Sequence, residues 1–169
     1  VLQNRFQVGL AYRDTDTNRV NALGRYEYRT ERDDSGTEPL RFASHLVSSH
    51  ADWHPSRPWW LTGRLAALYR KDRFEGGIND NFKGVLASGR AVWDASEHWD
   101  LGAMTSVFAG QRGTRQSAFG LEAGYLLAQN LWLSAGYNFS GFQADRQLQG
   151  YEYTRAGVYL RLRFKFDED

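Results

Sequence analysis

From Val158 to Phe166 apolar and polar side chains alternate without a break: Val158, Leu160, Leu162, Phe164 and Phe166 take one set of positions, and Tyr159, Arg161, Arg163 and Lys165 take the other. A period of two puts the sets on opposite faces of a β-strand, one meeting apolar surroundings and the other polar ones. The same split sets Phe6, Val8, Leu10 and Tyr12 against Arg5, Gln7, Gly9 and Arg13. It sets Val20, Ala22, Tyr26 and Tyr28 against Asn21, Arg25, Glu27 and Arg29, and Phe119, Leu121, Ala123, Tyr125 and Leu127 against Gly120, Glu122 and Gly124. The pattern predicts nine strands, over 4–13, 19–31, 40–53, 59–71, 82–94, 98–110, 115–128, 131–142 and 153–167. The spacing does not fit the 3.6-residue period of a helix. The third segment is the least regular, with Phe42, Ser44 and Leu46 on one face and Ala43, Val47 and Trp53 on the other, and it suggests a β-bulge.

The connections are of two kinds. Short turns are expected at Asp14 to Asn18, Pro55 to Arg57, Ala95 to Glu97 and Ala128 to Asn130. Longer polar links run from Arg32 to Pro39, from Asp72 to Asn81 with its Gly76-Gly77 pair, and from Gln143 to Glu152, with Gln111 to Thr114 a short exception. A meander with short connections at one end and long ones at the other matches the periplasmic turns and extracellular loops of outer-membrane barrels. Trp53, Trp59, Trp60, Trp93, Trp99 and Trp132 all lie within a few residues of the short turns, so they form the expected girdle at one rim, where amphipathic indole rings sit at the headgroup level. Tyr28, Phe42, Tyr69, Phe82 and Phe142 mark the opposite rim. Stretches such as RVNALGRYEY from Arg19, PWWLTGRLAALY from Pro58 and HWDLGAMTSVF from His98 make a weak internal repeat, the hairpin period of a meander.

The expected fold is therefore all-β, an antiparallel up-and-down transmembrane β-barrel, with residues 1–169 forming a single domain. Nine visible strands are an odd number, whereas bacterial single-chain barrels have even counts. Ten strands are expected when the wall is closed, the tenth preceding Val1 or supplied by another segment. Eight is the alternative, with the third or an end segment outside the wall.

Composition narrows the classes further. Aromatic residues make up 15% of the 169 residues while 24% are charged, so the chain is aromatic and polar at once. It has no apolar run near the roughly 18 residues of a helical span, which excludes a helical membrane protein. A net charge of +1 argues against nucleic acid as a partner. With no Cys, a disulfide scaffold and a thiolate metal site are excluded. Only Lys71, Lys83 and Lys165 are lysine among the 21 basic residues; the rest are arginine, the residue suited to buried ion pairs. The opening Val1-Leu2-Gln3-Asn4, without Met, reads as a mature chain or an excised piece of a longer one.

The run NLWLSAGYNFSGF from Asn130 to Phe142, followed by YTRAGVYLRLRFKFDED from Tyr153 to Asp169, resembles the C-terminal outer-membrane β-barrel domain of very large bacterial surface proteins with tandem immunoglobulin-like repeats. RVNALGRYEYR from Arg19 and SEHWDLGAM from Ser96 resemble earlier hairpins of that family, so the likeness spans essentially the whole chain. The resemblance implies the C-terminal part of a longer chain, anchoring an upstream surface-exposed or periplasmic region, or associated surface subunits, in the bacterial outer membrane. The implied partners are outer-membrane lipid, lipopolysaccharide and, during biogenesis, the barrel insertion machinery. The last strand is similar to the signal read by that machinery, but Phe166 is followed by Asp167-Glu168-Asp169 where the signal ends in an aromatic residue.

The expected polar set is Arg25, Glu27, Arg29, Arg64, Arg70, Arg90, Asp94, Glu122, Arg155, Arg161, Arg163 and Lys165, all opposite in parity to the apolar face. A barrel of eight to ten strands is just wide enough for such side chains to fill, as a salt-bridged network. The excess of basic residues leaves a stand-alone, anion-preferring channel as the alternative function. No catalytic, cofactor or metal site is expected. His50, Asp52 and His54 share a strand face at metal-ligand spacing, but no third strand supplies a ligand. His45 has Ser49 on its own face at about 13 Å, beyond hydrogen-bond reach, while Ser44 and Ser48 face the other way, so a lipid-modifying enzyme is the least favoured class. Asp14 to Asn18 lacks the glycine and the terminal glutamate of an EF-hand loop and reads as a turn. No glycine-rich phosphate loop opens a helix.

Overall fold

A computed structural model of the chain describes residues 2–33, 40–74, 79–143 and 153–164. The strands are β1 (Leu2–Arg13), β2 (Val20–Asp33), β3 (Leu40–Trp53), β4 (Trp59–Phe74), β5 (Asn79–Asp94), β6 (Trp99–Gly110), β7 (Arg115–Ala128), β8 (Leu131–Asn138), β9 (Phe142–Gln143), β10 (Tyr153–Thr154) and β11 (Gly157–Phe164), with one 3-10 turn at Gln111–Gly113. Nine of them form an antiparallel up-and-down sheet in the order β1 to β8 and then β11, while β9 and β10 pair with each other. The first and last strands of the sheet each pair with one neighbour, so the sheet is open among the described residues.

The alternation predicts these elements closely, with one correction. The segments expected at 131–142 and 153–167 leave the sheet near their shared link: β8 ends at Asn138, β11 begins at Gly157, and the residues between supply the two-strand ribbon β9–β10. The break falls at Gly157, whose φ of 124° suits only glycine. Lys165, Phe166, Gly76 and Gly77 lie outside the described residues.

The short turns follow from local chemistry. Asn18 and Asn130 have φ of 50° and 63°, the left-handed region that asparagine tolerates best among residues with a side chain. Asp14 Oδ1 accepts from the amides of Asp16 and Thr17, and its other oxygen accepts from the Thr17 hydroxyl, so its carboxylate organises the β1–β2 turn. These hydrogen bonds hold the Asp14 carboxyl below its usual range, the Thr17 hydroxyl contributing most.

The chain divides into two compact units. The first comprises Val1–Ala51, Arg64–Ala87 and Phe108–Arg115; the second comprises Asp52–Gly63, Ser88–Val107 and Gln116–Asp169. In the first, Phe6, Leu10, Val47, Leu65 and Val85 are exposed on one strand face. The opposite face buries Leu46, Ala66, Leu68, Leu86 and Phe108, with Leu86 only 1% exposed. This explains the irregular third segment: Leu46 is buried and Val47 exposed, so β3 is apolar on both faces. In the second unit Leu101, Leu121, Leu133 and Leu160 are exposed, while the opposite face buries Asp100, Ser106, Glu122, Ser134 and Asn138 beside Val92, Ala118 and Trp132.

Candidate functional site

The densest polar constellation lies in the second unit and is built by register. Along β8 and β11, Ser134 stands opposite Arg161 and Trp132 opposite Arg163; along β7 and β8, Glu122 stands opposite Gly136 and Gly124 opposite Ser134. One nitrogen of Arg163, Nη2, donates to both oxygens of Asp100 at 2.8 Å, and Nε donates to Ser134 Oγ at 2.9 Å. Asp100 and Ser134 are both 0% exposed. The Arg163 guanidinium also lies 5.9 Å from the centre of the Trp132 ring, a cation–π distance.

A second cluster centres on the buried Glu122. Its Oε1 accepts from Arg90 Nη2, its Oε2 accepts from the Tyr159 hydroxyl at 2.9 Å, and Arg161 Nη1 stands 3.8 Å from the same oxygen. A carboxylate out of water is tolerated only when its charge and lone pairs are met, and here three side chains meet them. Glycines make the room. A Cβ on Gly124 would overlap the Asp100 carboxylate and the Arg163 guanidinium, one on Gly102 would come within 2.6 Å of Glu122 Cγ, and one on Gly136 would strike the Tyr159 ring.

The remaining described members of the expected polar set lie apart from these two clusters. In the first unit Arg5 and Arg29 face each other across β1 and β2, a like-charge pairing relieved by Glu27, which takes Arg5 at 2.7 Å, and by Glu31, which takes Arg29 at 2.8 Å. Arg29 and Arg70 both lie over the Phe42 ring, at 5.4 and 4.2 Å from its centre, and Arg70 pairs with Asp72. Arg64 donates from Nε to His50 Nδ1 at 3.0 Å. Arg25 sits opposite Gly9, within the β1–β2 ladder. In the second unit Asp94 accepts from Trp60 Nε1 at 3.2 Å, and the Arg155 carbonyl accepts from Asn138 Nδ2 at 3.1 Å.

The structure divides the six tryptophans. Trp53, Trp59, Trp93 and Trp99 are exposed, with Trp59 stacked on Trp93 and Trp99 tilted against Tyr125. The other two are not exposed. Trp132 is 7% exposed and packs on Arg163, and Trp60 is half-buried between Asp94 and the His54 ring 3.9 Å away. The reason is parity: Trp60 shares the face of Thr62, and Trp132 shares that of Ser134.

The histidines resolve individually. His45 is exposed and shares a 2.8 Å hydrogen bond with the Tyr26 hydroxyl, with the Tyr28 ring 4.8 Å away, while Ser44 Oγ donates to the Arg29 carbonyl. Asp52 accepts from the Thr62 hydroxyl at 2.8 Å. Among the described residues no three His, Asp or Glu side chains are grouped to hold a metal ion.

Sequence reasoning missed Asp100, Ser134, Tyr159 and Asn138 as members of the site. Asp100 was detectable, since it interrupts Trp99 and Leu101 with the parity of the charged face, and the glycines at 102, 120, 124 and 136 share that parity. Compared with protein-family models, with curated proteins and with solved structures, the chain matches none of them.

Proposed function

We propose that the chain is an outer-membrane β-barrel that anchors a larger surface or periplasmic polypeptide or assembly. The observation that carries this reading is the inversion of burial. In the second unit large apolar side chains such as Leu101, Leu121 and Leu160 are exposed on one strand face while two carboxylates, Asp100 and Glu122, are buried on the other, and the first unit likewise exposes Val47, Leu65 and Val85. Soluble proteins seldom expose a large contiguous apolar surface, and a sheet whose outer solvent is lipid needs one. Strand length agrees for seven of the nine sheet strands, β1 to β7, which have 12 to 16 residues against the 9 to 11 or so that a tilted strand needs to cross a bilayer, while β8 and β11 have 8 each.

In this reading a tenth strand, from chain upstream of Val1 or from another segment, completes the wall, because nine alternating strands leave the first and last running the same way. Closure removes the unpaired edges, which the hydrocarbon core does not tolerate. The pairing of Arg90 and Arg161 with Glu122, and of Arg163 with Asp100, favours a filled interior over an anion channel.

The test is the mass and N-terminal sequence of the native polypeptide in isolated outer membranes. The anchor reading expects a chain far larger than 19.4 kDa with these residues toward its C-terminal end. A 19.4 kDa species that conducts ions in planar bilayers would replace it with the channel.

A further inference from the structure

The exposed face of the first unit changes character toward the ends of its strands that lead into the long links. Between those ends and the short turns it presents Leu10, Val47 and Leu65, but at the link end it presents Arg32, Arg41, Lys71 and Arg73. These four cations line one cleft of about 420 Å³ together with Tyr28 and Glu31. All four have the parity of the apolar face: Arg32 is that of Tyr28, Arg41 that of Val47, and Lys71 and Arg73 that of Tyr69. The one carboxylate in the lining, Glu31, is already engaged by Arg29. Among the described residues Arg41, Lys71 and Arg73 have no carboxylate partner. An aromatic platform adjoins them: Tyr28 and Tyr69 flank His45, and Lys83 Nζ lies 5.7 Å over the Tyr69 ring.

Four cations gathered at one end of an otherwise apolar face, beyond a row of aromatic rings, are arranged for a ligand that is anionic at the headgroup and apolar below it. We propose that this cleft binds the phosphate headgroup of an anionic lipid of the surrounding membrane, its chains lying along the exposed apolar face. The inference rests on the membrane reading above and names the lipid chemistry that this face selects. Guanidinium and ammonium groups reach phosphate oxygens by charge-assisted hydrogen bonds, and at a membrane interface such contacts are screened less than in bulk water.

The experiment uses the native full-length polypeptide, with the segment that completes the wall, in detergent micelles doped with phosphatidic acid and phosphatidylcholine, with retained lipid counted by native mass spectrometry. A parallel flotation assay on pure phosphatidylcholine vesicles reads insertion. The wild type is expected to insert and to retain phosphatidic acid preferentially. The R41Q/K71Q/R73Q variant is expected to insert equally and to lose about tenfold or more of that preference. R19Q/R57Q, which removes two exposed cations beside the short turns, is expected to keep it. Equal preference in the inserted triple variant overturns the cleft. Displacement of the lipid by millimolar inorganic phosphate overturns the lipid assignment in favour of a free-anion site. Failure of the wild type to insert overturns the membrane reading and the inference with it.

Discussion

The two units apply one alternation rule with opposite fillings. Both expose an apolar strand face, but behind it the first unit packs Leu46, Leu68, Leu86 and Phe108, whereas the second packs Asp100, Glu122, Ser134 and Asn138 with Arg90 and Arg163. Glycine serves both: a Cβ on Gly84 would press on the Phe82 and Phe108 rings at 3.0 to 3.1 Å, and one on Gly124 would overlap an ion pair. The difference teaches what each filling depends on. Apolar packing degrades by the volume removed, because each contact is small and many neighbours share the loss. A buried ionic cluster depends on every partner, because one deletion leaves a charge that neither water nor protein meets.

The sharpest way to break the comparison is Asp100→Ala, which strands the Arg163 guanidinium against Ser134. It is expected to cost about 3 to 5 kcal/mol in urea unfolding of the folded protein in micelles. The double variant Asp100→Leu with Arg163→Met should recover most of that loss, since an apolar pair of similar volume needs no compensation. In the first unit Leu86→Ala is expected to cost about 3 kcal/mol in the same assay, in proportion to the cavity left. Gly124→Ala is next, at about 2 kcal/mol, and should exceed Gly84→Ala, at about 1 kcal/mol, because the ion pair has less freedom to move than the rings.

The smallest expected effect is at the β1–β2 turn. The native Asp14 carboxyl titrates below its unfolded value of 3.8, so the stability it contributes is present above that pH and is lost as pH falls through the lower folded value. Asp14→Asn should therefore unfold slightly earlier than wild type at pH 7, with the two curves converging in strong acid.

Much of this fold was legible because strand alternation is a local signal. The window around Leu121, Ala123 and Tyr125 declares its apolar face regardless of what lies beside it. Where both faces are apolar the signal weakens, which is why Leu46, Leu86 and Phe108 were not foreseen as a packed interior. Partners within the polar site were hidden for a different reason. Arg163 meets Asp100 across 63 positions of chain, and that meeting depends on β6, β7, β8 and β11 lying side by side in the sheet, which no single window contains. Proximity to a turn does not tell which face a tryptophan takes, whereas parity does. Trp132 lies between Leu131 and Leu133, and Leu133 is the exposed neighbour.

The central claim is that the exposed apolar face meets lipid, and the absence of cysteine makes it directly measurable. Single cysteines at Leu10, Leu101, Leu121 and Leu160, and at Ser106 and Ser134 on the opposite face, would carry a small fluorophore in protein reconstituted into vesicles. Quenching by spin-labelled lipid is expected at the four leucine positions and not at the two serines. Quenching of the leucine positions by aqueous iodide, with no response to the lipid quencher, would contradict the account.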